Sequence, residues 1–266
     1  MKLKPVRSKD DIHLDDAHAR VRGRLPAGAE LNEKRDREAD RIGDLQKVLY
    51  ADASRALLVV LQGRDASGKD GTVKNVFSAV NPQGCAVTSF KAPTELEKRH
   101  DFLWRIHAAV PPRGMIGIFN RSHYEDVLVP RVRGELTKKE WAARYDDINA
   151  FERTLTRNGV VILKFMLHVS RDEQKRRLIE RLTDPTKNWK FRAADLEDRR
   201  RWDDFTKAYH GVLAHTSTKW APWFIVPADD KPVRDLLVAR TIADELDKLD
   251  LRYPKADPSI VGLEIE

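Results

Sequence analysis

The chain has one cysteine among its 266 residues, at position 85. A single thiol excludes an internal disulfide framework and a cysteine-rich zinc site. Cys85 lies in a short apolar run, so we expect a buried structural thiol rather than a nucleophile. Apolar runs of about 18 residues, the length of a membrane span, are also missing. The basic segment Met1–Arg7 is not followed by an apolar secretion core, so we expect a cytoplasmic protein with no membrane partner.

Charge of one sign is in excess. The chain has 49 lysines and arginines against 42 acidic residues, a formal net charge of +7 and a pI of about 9.4. This excess favours anionic partners such as nucleotides, polyphosphate, nucleic acid or an acidic membrane surface. The alternative is a basic protein with no such partner. The length is sufficient for a large core and favours one domain with embellishments.

Short apolar runs alternate with amphipathic segments after residue 50. We predict strands over 56–61, 85–90, 115–119, 160–169 and 223–226. We predict helices over 30–49, 69–80, 96–110, 138–157, 171–181 and 233–249, and one that begins at residue 195. Alternating strands and helices predict an α/β fold whose parallel sheet is covered on both faces. Residues 1–50 are expected to be an N-terminal helical arm, and 51–266 the main domain, with a lid insertion at about 171–205.

The segment Gly63–Asp70 matches most of a phosphate-binding loop. Gly-x₄-Gly-Lys lets backbone N–H groups surround phosphate oxygens while Lys69 reaches the terminal phosphates. The general pattern then requires Ser or Thr, but here the residue is Asp70, and Asp65 adds a second carboxylate. Two acids beside a polyanion are reasonable if Mg²⁺ lies between them and the phosphates, or if they handle a proton. The loop therefore indicates phosphoryl transfer, and a purely structural turn is the alternative.

A second polar cluster, 120–126, follows the predicted strand 115–119. The planar guanidinium of Arg121 suits a bidentate phosphate clamp. Many phosphate-loop kinases have an Asp at the end of such a strand, but this chain has Asn120, so Glu125 or Asp126 could supply the missing carboxylate if the chain turns back toward the site. His123 and Tyr124 either contact substrate or pack in the core. Because ligands bind at the carboxyl ends of parallel strands, the two loops should meet at one site.

The third feature is an arginine-rich segment after the strand 160–169. It contains Arg181 and the run Arg199–Arg201. One interpretation is a solvated helix face with ion pairs between successive turns. The other is a lid that closes arginines over the transferring phosphates and excludes water.

Together these features resemble the family-2 polyphosphate kinases over about residues 45–250. The resemblance rests on several motifs in order: 63–71, 81–84, 90–94, 103–105, 121–124, 184–190 and 223–231. In this family an Asp follows the loop lysine. The form Asn-Arg-Ser-His-Tyr-Glu-Asp at 120–126 resembles the class III subgroup, which phosphorylates AMP as well as ADP.

The resemblance implies a thymidylate-kinase-like P-loop kinase, a three-layer sandwich with a five-stranded parallel sheet and a helical lid. It implies reversible phosphoryl transfer from inorganic polyphosphate to AMP and ADP, with Mg²⁺ or, in its place, Mn²⁺. Guanine nucleotides are further candidate acceptors, a homo-oligomer is expected, and nucleic acid is not an expected partner. An ATP-dependent nucleoside monophosphate kinase and a non-catalytic module that binds polyanions or RNA are the alternatives.

The candidate site residues form four groups. The catalytic candidates are Asp65, Lys69, Arg121 and Arg181. The phosphate- and nucleotide-binding candidates are Gly63, Ala66, Ser67, Gly68, Asp70, Gly71, Asn120, His123 and Tyr124. The polyphosphate-binding candidates are Lys74, Lys91, Arg131 and Arg133, and binding there should weaken steeply with salt. The candidate metal ligands are Asp65 and Asp126.

Overall fold

The computed structural model describes residues 2–21, 23, 25–26, 28–260 and 262–263. Its centre is a parallel sheet with the strand order β2-β3-β1-β4-β5. The strands are β1 (Ala56–Gln62), β2 (Cys85–Ser89), β3 (Ile116–Asn120), β4 (Val160–His168) and β5 (Trp223–Pro227). All neighbouring strands pair in parallel. The five predicted strands and their parallel arrangement are confirmed.

The helices lie on both faces of this sheet. They are α1 (Gly28–Asp52), α2 (Lys69–Val76), α3 (Trp104–Ala108), α4 (Glu125–Arg133), α5 (Lys138–Arg157), α6 (Arg171–Thr183), α7 (Ala193–Arg200), α8 (Trp202–Thr216) and α9 (Lys231–Asp247). Across the described residues, none of these helices combines the length and the apolar character that a membrane crossing requires.

The two faces of β1 belong to two separate hydrophobic cores. Leu58 and Val60 pack with α4, α5 and α8 on one face. Leu57 and Val59 pack with α1, α2 and α9 on the other. A strand that is buried on both faces reads as a continuous apolar run, which is why β1 could be predicted. The result is the predicted three-layer α/β sandwich.

One predicted helix was wrong. The segment 96–110 contains a 3-10 turn at Glu97–Arg99 and the short helix α3 instead of one continuous helix. His100 between them is extended, with φ −113° and ψ 170°. The side chain of Asp101 then accepts a hydrogen bond from the N–H of Leu103 at 2.9 Å, which favours a new start there.

The structure also contains helical segments that the sequence did not predict. Helix α4 was missed because Pro130 lies inside it, and proline is disfavoured in a helix interior. Helix α2 ends at Val76 rather than at residue 80. The predicted lid region 171–205 contains α6 and α7, whereas Trp202 and Phe205 at its end belong to α8 and are buried.

The N-terminal region is tied to the main domain at several places. Pro5 forms an antiparallel bridge with Phe224 at the edge of β5. Arg41 on α1 forms an ion pair with Asp244 on α9 at 3.0 Å. The division at residues 50 and 51 falls inside α1 and stays a prediction. Residues 1, 22, 24 and 27 of the predicted arm, and 261 and 264–266 of the predicted domain, lie outside the described residues.

Candidate active site

The two polar loops meet where β1 and β3 end. Leu61 of β1 is paired with Asn120 of β3, so the residues that follow each strand leave the sheet side by side. The N–H of Arg121 donates to the carbonyl of Leu61 at 3.0 Å. Arg121 has a positive φ of 64°, which turns the chain sharply toward the phosphate loop. The predicted convergence of the two loops is thus present in the structure.

The phosphate loop wraps around the side chain of Lys69. Gly68 has a φ of +103°, and α2 begins at the next residue. The ammonium of Lys69 donates to the carbonyls of Gly63 at 2.8 Å and Arg64 at 3.2 Å. Burial, with the nearby charge of Arg121, lowers the pKa of Lys69 to about 8. Below about pH 8 this lysine is therefore a cation.

Asp65 and Arg121 form an ion pair at the centre of the site. Nη2 of Arg121 lies 2.5 Å from Oδ1 of Asp65, and Nη1 lies 3.2 Å from Oε2 of Glu125. Burial raises the pKa of Asp65, but the charges of Arg121 and Lys69 outweigh it, so the net shift is downward. The negative charge of Glu125 is the largest influence on Arg121 and raises its pKa. Burial opposes this effect, but the charge of Asp65 adds to it, so the net shift of the pKa is upward. The site is therefore a network of ionised groups.

The two residues that depart from the common kinase pattern touch each other. Nδ2 of Asn120 donates to Oδ1 of Asp70 at 2.8 Å. The other oxygen of Asp70 lies 3.9 Å from the ammonium of Lys190 in the lid. An aspartate at position 120 would instead place two carboxylates in contact. The amide of Asn120 thus provides a hydrogen-bond donor for Asp70, the carboxylate that follows Lys69.

Arg181 lies on α6, in the predicted lid region, and faces α7. Its Nη1 is 3.4 Å from Oδ2 of Asp195, which is itself buried, and 3.4 Å from the carbonyl of Lys190. Its positive charge also contributes to lowering the pKa of Asp65. A cavity of about 30 Å³ lies between the phosphate loop, α4 and α8. Its polar lining includes Asp65, Arg121, Glu125, Gln174 and Asp198.

The predicted glycines are sites of close approach. A Cβ on Gly68 would lie 1.9 Å from Nη1 of Arg234, and one on Gly63 would lie 2.6 Å from the carbonyl of Leu167. A Cβ on Gly71 would lie 3.3 Å from Nη2 of the same Arg234 side chain. Ala66 has a positive φ of 61°, and the buried hydroxyl of Ser67 has no hydrogen-bond partner among the described residues.

His123 and Tyr124 pack in the core, which is one of the two predicted alternatives. Both side chains are buried and neither lines the cavity. The Tyr124 hydroxyl donates to Glu152 at 2.8 Å, and a ring nitrogen of His123 lies 3.3 Å from the same carboxylate. Glu152 is in turn bound to Lys164 of β4 at 2.6 Å. These contacts attach the segment 120–126 to α5 and β4.

Asp126 does not line the cavity either. Its carboxylate accepts from Nη2 of Arg105 at 3.0 Å, and burial raises its pKa in spite of that guanidinium. The preceding residue, Glu125, is the one that lines the cavity and contacts Arg121. The structure thus places Glu125 rather than Asp126 at the cavity, because the helical turn of α4 directs that carboxylate to the site, and the metal role stays a prediction.

The four predicted polyphosphate-binding residues have different surroundings. Arg133 at the end of α4 lies 3.9 Å from Asp198 in the predicted lid and lines a cleft of about 650 Å³ together with residues of α7 and Arg201. Arg131 lies 4.1 Å over the ring of Trp141 and donates to the hydroxyl of Tyr145. Lys74 and Lys91 are exposed. Only Arg133 is thus seen next to the lid, and the track stays a prediction.

The described residues contain no group of three or more acidic, histidine or cysteine side chains arranged to hold a metal ion. Mg²⁺ is commonly bound by one or two carboxylates together with waters and substrate phosphates. Asp65 and Asp70, both in the phosphate loop, could supply such a partial set. These donors therefore fit a metal ion that binds together with the substrate phosphates better than a metal ion held by protein ligands alone.

Comparison with known proteins identifies the family of this chain. The model of the family polyphosphate kinase 2 (PPK2) matches residues 28–254. The chain belongs to the polyphosphate kinase 2 family. The resemblance predicted from the sequence is therefore confirmed, and with it the assignment of the chain as a phosphotransferase.

Individual relatives cover most of the chain. It is 49% identical over 226 residues to the AMP/ADP-polyphosphate phosphotransferase of Meiothermus ruber, covering 85% of each chain. It is 45% identical to the ADP-polyphosphate phosphotransferase of Rhodopseudomonas palustris, covering 84% of this chain and 81% of that one. The crystal structure of polyphosphate kinase 2 from Arthrobacter aurescens TC1 matches with a TM-score of 0.87 and 41% identity over 96% of this chain and 95% of that one. The predicted P-loop kinase fold is confirmed.

Sequence reasoning missed several residues that support the loop. Arg64 stacks 3.8 Å over the ring of Trp202 and donates to its carbonyl at 2.9 Å, which ties the loop to α8. Arg177 and Arg234 hold the loop from the side of α6 and α9. In the sequence, the only signal for Arg177 was its position four residues before Arg181, on the same face of a helix.

Proposed function

We propose that this chain transfers a phosphoryl group between inorganic polyphosphate and adenine nucleotides, converting AMP to ADP and ADP to ATP, in a reversible reaction. The observation that carries the proposal is the ion pair of Arg121 with Asp65 at 2.5 Å, beside Lys69 in a phosphate loop of a polyphosphate kinase 2 family member. The acceptor assignment is supported by Asn120 and by the similarity to an AMP/ADP-polyphosphate phosphotransferase.

In this reaction an oxygen of the acceptor's terminal phosphate attacks the last phosphorus of polyphosphate. The new P–O bond forms as the bond to the rest of the chain breaks, and the shortened polyphosphate leaves with the electron pair. Such reactions depend mainly on positioning and on neutralising charge. We assign these tasks to Lys69, Arg121 and Arg181, whose positive charges surround Asp65. Asp65 orients Arg121 through their ion pair.

We propose Mg²⁺ as the metal, with Mn²⁺ able to replace it, and Asp65 with Asp70 as the residues that would hold it. The metal would supply positive charge that neutralises phosphate oxygens. We also assign to Glu125 the part of the metal role that was predicted for Asp126, since Glu125 lines the cavity beside Arg121. Guanine nucleotides as further acceptors, a homo-oligomeric state and a cytoplasmic location stay predictions.

A donor and acceptor matrix tests the proposed function. Purified protein with Mg²⁺ is given polyphosphate or ATP as donor and AMP, ADP, GMP or GDP as acceptor, and the products are separated by chromatography. We expect ADP and ATP from AMP and polyphosphate without any nucleoside triphosphate donor. The Arg121→Ala variant, run in parallel, controls for contaminating kinases. Turnover of AMP with ATP that polyphosphate cannot replace would instead support an ATP-dependent nucleoside monophosphate kinase.

A further inference from the structure

Helix α6 holds the phosphate loop from behind through consecutive backbone carbonyls. The side-chain amide of Gln174 donates to the carbonyl of Asp65 at 3.0 Å. One turn further on, Nη1 of Arg177 donates to the carbonyls of Ala66 at 3.0 Å and Ser67 at 3.1 Å. Helix α6, which also carries Arg181, thus donates hydrogen bonds to three successive carbonyls of the loop.

All five N–H donors of Arg177 have acceptors. Nη1 binds the loop as described, and Nη2 donates to the carbonyls of Ala228 at 2.7 Å and Asp229 at 2.9 Å. Nε donates to Oε1 of Glu173 at 2.7 Å. The residue is only 5% exposed. A planar guanidinium with every donor occupied has one orientation available, so Arg177 fixes the distance between α6, the loop and the segment after β5.

These contacts decide which way the loop's N–H groups point. In a trans peptide the carbonyl and the N–H point in opposite directions. Holding the carbonyls of Asp65 and Ser67 behind the loop therefore directs the N–H groups of Ala66 and Gly68 toward the front. Among the described residues, neither of these N–H groups donates to a backbone carbonyl. Backbone N–H groups directed in this way are the part of a phosphate loop that cradles phosphate oxygens.

We propose that Gln174 and Arg177 are positioning residues, which keep the phosphate loop in its phosphate-binding conformation by holding its carbonyls on the side of α6. The inference rests on the proposed function. It also means that lid and loop act as one unit, because Arg181 lies one helical turn beyond Arg177. A shift of α6 would displace both the phosphate loop and the side chain of Arg181.

The neighbouring residue provides a matched control. Arg176 is also on α6 and also binds Glu173, at 2.5 Å, but its side chain is 60% exposed, and among the described residues it forms no hydrogen bond or ion pair with the loop. We compare Arg177→Met with Arg176→Met, using kinetics with polyphosphate and ADP at saturating Mg²⁺. A misplacement of about 1 Å in a catalytic group can cost roughly 10²-fold in rate. We expect kcat to fall roughly 10- to 100-fold in Arg177→Met and less than about 2-fold in Arg176→Met.

Three further measurements separate positioning from a merely structural role. The kinetics are measured on folded protein, with the melting temperature and the active fraction recorded. Arg177→Lys retains a cation but offers three donors rather than five, so we expect an intermediate kcat. Gln174→Met removes the loop contact, together with the hydrogen bond that Oε1 of Gln174 accepts from Arg199 at 2.9 Å, without removing a charge. Arg199→Met is its control for the second contact, and the pair of variants tests the proposal if the Arg177 variants do not fold. We expect Gln174→Met to lower kcat several-fold with little change in melting temperature.

The outcomes distinguish the two proposals. An inactive wild-type protein would overturn the proposed function. An active wild-type protein whose Arg177→Met and Gln174→Met variants keep their kcat and KM, or lose only folded fraction, would overturn the positioning role alone. A selective loss of kcat in these variants, with Arg176→Met unaffected, supports it.

Discussion

Replacing Lys164 by methionine should destabilise the protein by about 3–5 kcal/mol, because it leaves the carboxylate of Glu152 buried without its counterion. Neither side chain has any exposed surface. The ammonium of Lys164 donates to Glu152 at 2.6 Å, to the Tyr124 hydroxyl at 2.8 Å and to the carbonyl of Thr216 at 2.8 Å. Methionine fills nearly the same volume, so the loss is one of charge and hydrogen bonding rather than of packing.

A double-mutant cycle tests this reasoning more sharply than the single variant. Glu152→Leu alone leaves a buried ammonium and should cost a similar amount. The double variant with Lys164→Met removes both charges and leaves only neutral polar groups without partners, at about 1–3 kcal/mol each. We therefore expect the double variant to cost at least about 2 kcal/mol less than the two single variants together.

Urea unfolding followed by tryptophan fluorescence measures these free energies. A thermal scan gives a second readout, since a loss of 3–5 kcal/mol corresponds to roughly 10 °C in a protein of this size. Lys187→Met is the matched control, because Lys187 is 41% exposed and binds Glu180 at 2.6 Å. We expect it to cost less than about 1 kcal/mol. Additive single variants, or an equal loss in Lys187→Met, would refute the importance of the buried pair.

Three other perturbations test the site itself. Because the pKa of Lys69 is lowered to about 8, the lysine loses its charge as pH rises through that value. We expect kcat/KM for polyphosphate to fall above about pH 8, and a flat profile to pH 10 would contradict this. Asn120→Asp should lower the free energy of unfolding by about 0.5 kcal/mol through repulsion with Asp70, and Mg²⁺ should restore it in a thermal shift assay. Arg121→Ala and Asp65→Asn should each cost several kcal/mol of transition-state stabilisation in kcat/KM while circular dichroism stays unchanged, and near-wild-type turnover would overturn the assignment.

The parts of the site that follow strands could be predicted from the sequence. The apolar run of β1 and the glycines after it place the phosphate loop at the carboxyl end of a parallel sheet. The pairing of Leu61 with Asn120 then brings the second loop alongside. These predictions depend on strand periodicity and on the geometry of parallel sheets, which are properties of local sequence.

The supporting side chains could not be predicted in the same way. A lysine and a glutamate 12 residues apart, such as Lys164 and Glu152, read as surface residues until the fold brings α5 over β4. Which of Glu125 and Asp126 faces the cavity depends on the rotation of α4. That helix was not predicted, because it contains Pro130. Periodicity places a residue on a helix, but the orientation of that helix against the sheet is a tertiary property.

Buried cations behind the site and cations at its front have different tasks. Three of the cations behind it are bound to carboxylates: Arg177 to Glu173 at 2.7 Å, Arg234 to Asp235 at 2.7 Å and Lys164 to Glu152 at 2.6 Å. Their charge is therefore neutralised locally, and their effect on the phosphates is exerted through geometry. At the front, the partners of Arg121 are carboxylates that phosphate-bound metal would also attract. The salt dependence of polyphosphate binding should consequently reflect the front cations, because only their charge is available to replace counterions on the polyanion.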